Sequence, residues 1–390
     1  MGDNNTMILN MGPQHPSTHG VLRVILELDG EVVVKATPDI GFLHRGLEKL
    51  AESKTYHQCI PLTDRLDYVA GMSNNLAYVL AVEKLLNLEV PPRAQAIRVL
   101  LCELQRIASH LFWMGTHAHD IGAMTPLFYS LRERDEILFM FEMVCGARLT
   151  PSYFRVGGLA QDLPDGFVEK CREFTRTFPG HVDEYETLLT RNRIWMRRTQ
   201  GVGPISAEEA INWGLSGPIL RASNVNWDLR KALPYSGYEN YDFLIPTGKN
   251  GDVYDRYRVR ITEMRQSNEI ARQVLDKMPG GGVLADNPHV VYPPKRRVQE
   301  SIEALIHHFH LATEGFPTPE GEVYTSVESP KGELGFYLIS DGSSKPFRFR
   351  VRPPSFINLS PLAKMVQGHL VADVVAIIGS LDIVLAEIDR

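Results

Sequence analysis

The stretch IRVLLCELQRIASHLFWM, residues 97–114, decides how this chain is built. Ile97, Leu100, Leu101, Leu104, Ile107, Ala108, Leu111 and Met114 recur at three- and four-residue intervals, which draws one apolar stripe along a long helix. A stripe of that length needs other helices to cover it. Upstream, SNNLAYVLAVEKLLNL (73–88) carries Leu76, Val79, Leu80 and Val82 at helical spacing, with Ser73 or Asn74 as N-cap and Pro91-Pro92 as the stop. Downstream, helical periodicity returns at about 126–146, 165–190 and 255–278. Long amphipathic helices with short connections argue a central bundle.

Both ends of the chain read differently. VLRVILELDGEVVVK (21–35) alternates apolar and polar residues around Asp29-Gly30, a hairpin signal, and MILNMG before it supplies a further strand. GPQHPSTHG (12–20) then joins two strands at one end of a small sheet. The region 191–254 is rich in Gly, Pro, Asn and Trp; it reads as irregular connection plus a short helix at SAEEAINWG, capped by Ser206 with Glu209 completing the capping box. From 297 a helix runs through 313, a hairpin follows in GELGFYLIS and KPFRFRVR around the turn DGSS, and a last helix spans about 361–379. The expected fold is α+β in three parts: a β-rich 1–70, a helical bundle 71–296 containing the irregular 191–254, and a mixed helix and hairpin part 297–390.

Composition narrows the function. The chain has 390 residues, 44% hydrophobic and 23% charged, with net charge -6 and no long Lys/Arg run, which argues against nucleic acid as a partner. No apolar run approaches the roughly 18 residues of a spanning helix, and MGDNNTMILN lacks the basic-then-apolar order of a signal peptide. The expectation is a water-facing protein that meets a membrane only through partners. Its four cysteines, Cys59, Cys102, Cys145 and Cys171, stand at least 26 positions apart with no CxxC pair. Close-spaced zinc or iron–sulfur ligation is therefore not expected, and buried reduced thiols are.

The candidate chemistry is a set of proton-transfer groups. The loop 12–20 holds His15 and His19 between prolines and glycines, on a segment poor in apolar anchors. RLDYV (65–69) supplies the phenol of Tyr68. THAHD ends the long helix; an HxH pair on a helix points its rings apart, so Asp120 reads better as a carboxylate that orients a histidine than His117 and His119 read as metal ligands. His307, His308 and His310 fit packing or surface roles, and MPGGGV (278–283) lacks the preceding strand and the GK[ST] of a phosphate loop. With no GxSxG, HExxH or Rossmann fingerprint, the chain has no redox cofactor site of its own. A histidine loop, a tyrosine and an acid suit protonating something reduced by electrons from elsewhere.

The motifs MGPQHPSTHGVLR, IGFLHRGLEKL, PLTDRLDYV, IGAMTPLFY, LRASNVNWDLRKALPYSGYENYDF and SDGSSKPFRFRVRPPSF carry a resemblance. From about residue 7 to Arg390 the chain resembles the D-type, or 49-kDa-type, subunit family of respiratory complex I, in its stand-alone bacterial form. That family lies in the nickel–iron hydrogenase large-subunit superfamily, whose active members bind metal through RxCGxC and DPCxxC. The corresponding stretches here, RLDYVAG and LDIVLAEI, put Asp67, Ala70, Val384 and Glu387 near the ligand positions, without thiolates. The resemblance thus implies a metal cavity turned substrate cavity for quinone, between this chain and a B-type subunit carrying a [4Fe–4S] cluster.

It further implies that His19 and Tyr68 grip the two quinone carbonyls, imidazolium at one end and phenol at the other, with Asp120 as partner of His19 and Thr116 as a further contact. Arg45 matches an arginine beside the cluster, while Thr150 stands where many relatives have a histidine, which puts a histidine-dependent cluster potential in doubt. The implied setting is a proton-translocating NADH:quinone oxidoreductase: a translocase whose FMN and iron–sulfur clusters sit in partner subunits. B-, C- and I-type subunits of the peripheral arm and an H-type membrane subunit would be neighbours, on the cytoplasmic side of the inner membrane. An active hydrogenase and a non-catalytic scaffold are the competing readings.

Overall fold

The structure, a computed structural model, describes residues 6–390; the first five residues of the expected N-terminal part lie outside the described residues. The striped segment forms the helix Pro92–Asp120, which packs against helices Thr125–Cys145 and Val253–Lys277. Helix Phe167–Leu189 flanks both Thr125–Cys145 and Val253–Lys277. Ile97, Leu100, Leu104, Ile107 and Leu111 are fully buried in the main core, as the stripe requires. The fold is α+β, with the small antiparallel sheets near the two ends of the chain.

The first sheet is strands Met7–Met11, Arg23–Asp29 and Val32–Asp39, antiparallel in chain order, with Asp29 opposite Val32 across the expected turn. The second, Gly321–Ser329, Gly332–Ser340 and Arg348–Arg352, has one strand more than the hairpin read from sequence and lies against helix Gly71–Leu86. A second core joins Leu22, Val24 and Leu26 of the first sheet to Ile219, Leu362, Ile377 and Leu381. Sequence-distant segments therefore share one apolar interior.

Three boundaries moved for identifiable reasons. Helix Gly71–Leu86 starts before Ser73, because Asn74 and Asn75 are buried donors to the preceding turn, Asn74 Nδ2 to Asp67 O at 3.1 Å and Asn75 Nδ2 to Thr63 Oγ1 at 2.9 Å. Its end is Asn87, left-handed at φ 47°, and Pro91-Pro92 instead open the next helix. The expected last helix divides into Leu362–Val366 and Val371–Leu381, and a further short helix, Leu385–Asp389, follows it. The break arises where Gly368 N donates to Val33 O (2.8 Å) and Val33 N to His369 O (2.9 Å), so this segment adds to the edge of the first sheet. Ser206 and Glu209 form the expected capping box.

Candidate functional site

Two segments more than 300 residues apart in sequence meet at the core of the site. Residues 64–70 form the turn before helix Gly71–Leu86, and residues 382–387 form the turn into, and the first residues of, the final helix. Val69, Val384 and Ala386 pack together with Leu43 and Phe112. The Arg45 guanidinium ties both segments, donating to Arg65 O at 2.9 Å and Ala386 O at 3.3 Å. The chain end is clasped from the same side, with Gly41 N and Leu43 N donating to the Asp389 carboxylate at 2.9 and 2.7 Å.

Into this junction the second sheet thrusts Lys331, from the turn between Gly321–Ser329 and Gly332–Ser340. Its ammonium is 3.0 Å from Asp67 Oδ2, 3.7 Å from Asp382 Oδ1 and 3.3 Å from Ser109 Oγ, with only 1% of the residue exposed. Burial works against that charge, but Asp382 and Asp67 outweigh it and hold Lys331 up at about 12. Glu387 is equally buried and accepts from Ser355 N at 3.2 Å. Desolvation, followed by the like charge of Asp67, pushes its carboxyl up to about 8. Sequence reasoning named Asp67 and Glu387 only as non-ligands and missed Lys331 and Asp382. A lysine in SPKG reads as a surface turn, and the one available signal was the apolar run Leu334, Phe336 and Leu338 in the strand that follows.

Tyr68 and His19 border this cluster. Tyr68 is 48% exposed, and desolvation and then Asp67 raise its phenol above the ordinary value while Lys331 opposes them. His19 sits left-handed at φ 56° after the short turn Pro16–Thr18, which packs on helix Val371–Leu381. The loop holds itself in shape: Ser17 N donates to His15 Nδ1 (3.2 Å) and Thr18 Oγ1 to His15 O (3.0 Å). Gly12 is required there, because at φ +83° a Cβ would lie 2.2 Å from Leu22 O.

His19 keeps open surface, with dense protein around it. Desolvation and the Lys331 charge lower it to about 4. That lowering favours a neutral imidazole, one N–H donor beside a cation, over the expected imidazolium. A second correction concerns Asp120: among the described residues no hydrogen bond or ion pair joins it to His19. Desolvation raises its carboxyl, and the histidine charges that it feels are those of His119 and His15. Thr116 shares the helix end, its hydroxyl turned back to Phe112 O and Trp113 O, both at 3.1 Å. Thr150 precedes Pro151, whose ring lies against Gly71.

The chain's own thiols do not suit cluster ligation. Cys59, Cys102 and Cys171 are buried, and burial pushes Cys59 and Cys171 up to about 12, opposite to a thiolate ligand. No helix among the described residues is long and apolar enough to cross a membrane.

A family described as "Respiratory-chain NADH dehydrogenase, 49 Kd subunit" matches residues 120–390. The chain is 63% identical, over 390 residues and the whole of both chains, to the D-type subunit of NADH-quinone oxidoreductase from Geotalea uraniireducens. It is 62% identical, again over both whole chains, to the corresponding D-type protein of Geobacter sulfurreducens. The second of the D-type proteins of Chloroflexus aurantiacus is 59% identical, the match covering 100% of this chain and 95% of that one.

Proposed function

The chain belongs to the 49 kDa subunit family of the respiratory-chain NADH dehydrogenase, and we propose that its Lys331-centred junction is the floor of the quinone-reduction site of that complex. As part of an NADH:quinone oxidoreductase, the chain receives electrons from partner subunits and adds no redox group of its own. The observation that carries the reading is the meeting of residues 64–70 and 382–387, the segments that bind metal in hydrogenases, around a buried ammonium beside Tyr68 and His19. Where thiolates and metal would stand, carboxylates and a lysine now gather protons.

A quinone headgroup has two carbonyls, each more basic as electrons arrive. The neutral imidazole N–H of His19 serves one oxygen and the Tyr68 O–H the other, and the nearby Lys331 charge favours the developing anion. Thr116 lines the same helix end, and Asp120 acts on the loop through His15 rather than on His19 directly. A B-type subunit would bring the terminal [4Fe–4S] cluster near Arg45, with C-, I- and H-type subunits around it, FMN further upstream, and the whole attached peripherally at the cytoplasmic face of the inner membrane. Coupling of the reaction to proton translocation would follow from that assembly.

Tyr68→Phe and His19→Ala in the assembled complex should each lower NADH:quinone turnover about a hundredfold. NADH oxidation by an artificial acceptor that bypasses the site should stay within a factor of two, and native gels should show intact complex. Normal quinone turnover in both variants would defeat the reading, and loss of assembly in both would favour a scaffold.

A further inference from the structure

The acid cluster contains one carboxylate too many. Asp67 and Asp382 pair with Lys331, Glu387 lies within electrostatic reach of both Asp67 and Lys331, and all four residues are at most 7% exposed. Arg260 of helix Val253–Lys277 adds one more cation, its Nε 3.9 Å from Asp382 Oδ2. Two cations thus balance Asp67 and Asp382. Glu387 has the N–H and hydroxyl of Ser355, plus a lysine already engaged by the other two carboxylates. From the segment across it, Arg45 and His44 spend themselves on main-chain oxygens, of Ala386 and Asp389, and Arg390 pairs with Glu48. An uncompensated carboxylate in a dry interior is resolved by keeping a proton. The junction therefore stores one.

We propose that Glu387, working through Asp67 and Lys331, holds the proton that reloads Tyr68 after it has donated to reduced quinone. This rests on the quinone-site reading above. Protons and charges balance against the two electrons that the complex already supplies. The Tyr68 O–H bond breaks as its proton passes to a quinone oxygen. The phenolate takes a proton from Lys331 Nζ, and the resulting amine is reprotonated from the Glu387 carboxyl by way of Asp67. Tyr68 and Lys331 end as they began, Glu387 is left as carboxylate, and it later regains a proton from water. The second proton of the quinol is taken from water at the exposed His19 side, with the His19 N–H holding that oxygen in place. Glu387 and Lys331 touch no substrate; they position and replenish the proton that Tyr68 delivers.

The buried carboxyl, held up to about 8, gives a readout that a packing role does not share. In the wild-type complex, quinone reduction should fall as pH rises through about 8 while artificial-acceptor reduction shows no such limb. Glu387→Gln should lower turnover at neutral pH about tenfold and abolish the alkaline limb. Glu387→Asp should restore much of the turnover with the limb displaced along the pH axis. A Glu387→Gln complex with wild-type turnover and limb would overturn the proposal, as would a wild-type profile flat through pH 8. Should Glu387→Gln fail to assemble on native gels, the Glu387→Asp profile decides, an unmoved limb refuting the idea. Tyr68→Phe separates the two claims. Impaired Tyr68→Phe with unaffected Glu387→Gln sinks the proton store alone, whereas unaffected Tyr68→Phe sinks the site.

Discussion

His117 is stacked on Trp113 with ring centroids 5.2 Å apart and met edge-on by Trp195 at 5.5 Å, and neither of its ring nitrogens has a partner among the described residues. Gly379 makes room for it; a Cβ there would lie 2.4 Å from His117 Nδ1. Desolvation and then Arg260 lower it to about 3. Desolvation likewise lowers His110 to about 4 although Glu263 sits 2.8 Å from its Nε2, so a neutral ring donates to that carboxylate. His57 is lowered to about 4 by burial too. These bases are depressed in the folded chain, so the unfolded chain takes up protons first as pH falls. Their stability contribution is whole above pH 6.5 and drains away between 6.5 and 4, by about 1.4 kcal/mol per pH unit for each ring. Urea unfolding of the purified chain, followed by the emission of Trp113 and Trp195, should show the midpoint dropping steeply from pH 6.5 to 5. A flat midpoint would contradict the buried neutral rings.

Among the elements, the turn that carries Lys331 governs the site, and it is clamped rather than free. Asn358 Nδ2 donates to Lys331 O at 2.9 Å and Glu333 N to Ser216 Oγ at 3.0 Å. Gly217, at φ +67°, presses so closely that a Cβ would lie 2.5 Å from Gly332 Cα. Gly217→Ala combines that clash with a left-handed backbone and should cost about 3 kcal/mol. Ser216→Ala removes one acceptor and should cost about 1 kcal/mol. Denaturation midpoints of the two variants test the order. A Gly217→Ala protein as stable as Ser216→Ala would show the turn to be loosely seated, and with it the position of Lys331.

Across the whole molecule, buried ions tie two helices of the bundle to the second sheet. Arg221 Nε reaches Glu263 Oε1 (2.9 Å) and its Nη1 reaches Glu328 Oε1 (2.7 Å) and Asp228 Oδ2 (3.6 Å), with every partner buried. Asp228 passes to Arg230, and Arg230 to Glu103, which also accepts from Tyr238 Oη at 2.6 Å. Such pairs barely outweigh their desolvation, but removing one member strands charge in a dry interior. Arg221→Met should cost about 3–5 kcal/mol, and adding Glu263→Gln should recover part of it. A single-mutant loss below about 1 kcal/mol would mean that water already reaches the network.

The sequence by itself determined the elements whose cause is local. The 3.6-residue stripe of 97–114 dictates a helix with one buried side, Asp29-Gly30 a hairpin, and Ser206 with Glu209 a helix start, because each depends on residues within a turn of one another. It also showed that RLDYVAG and LDIVLAEI carry no thiolates. Tertiary structure alone decided what replaced them. A lysine in a hairpin turn looks solvated until Gly217 and Asn358 seal it inside, and His19 looks like a cation until Lys331 is found to oppose its charge. Charge state depends on desolvation and on neighbours hundreds of residues away, and neither is written in local spacing.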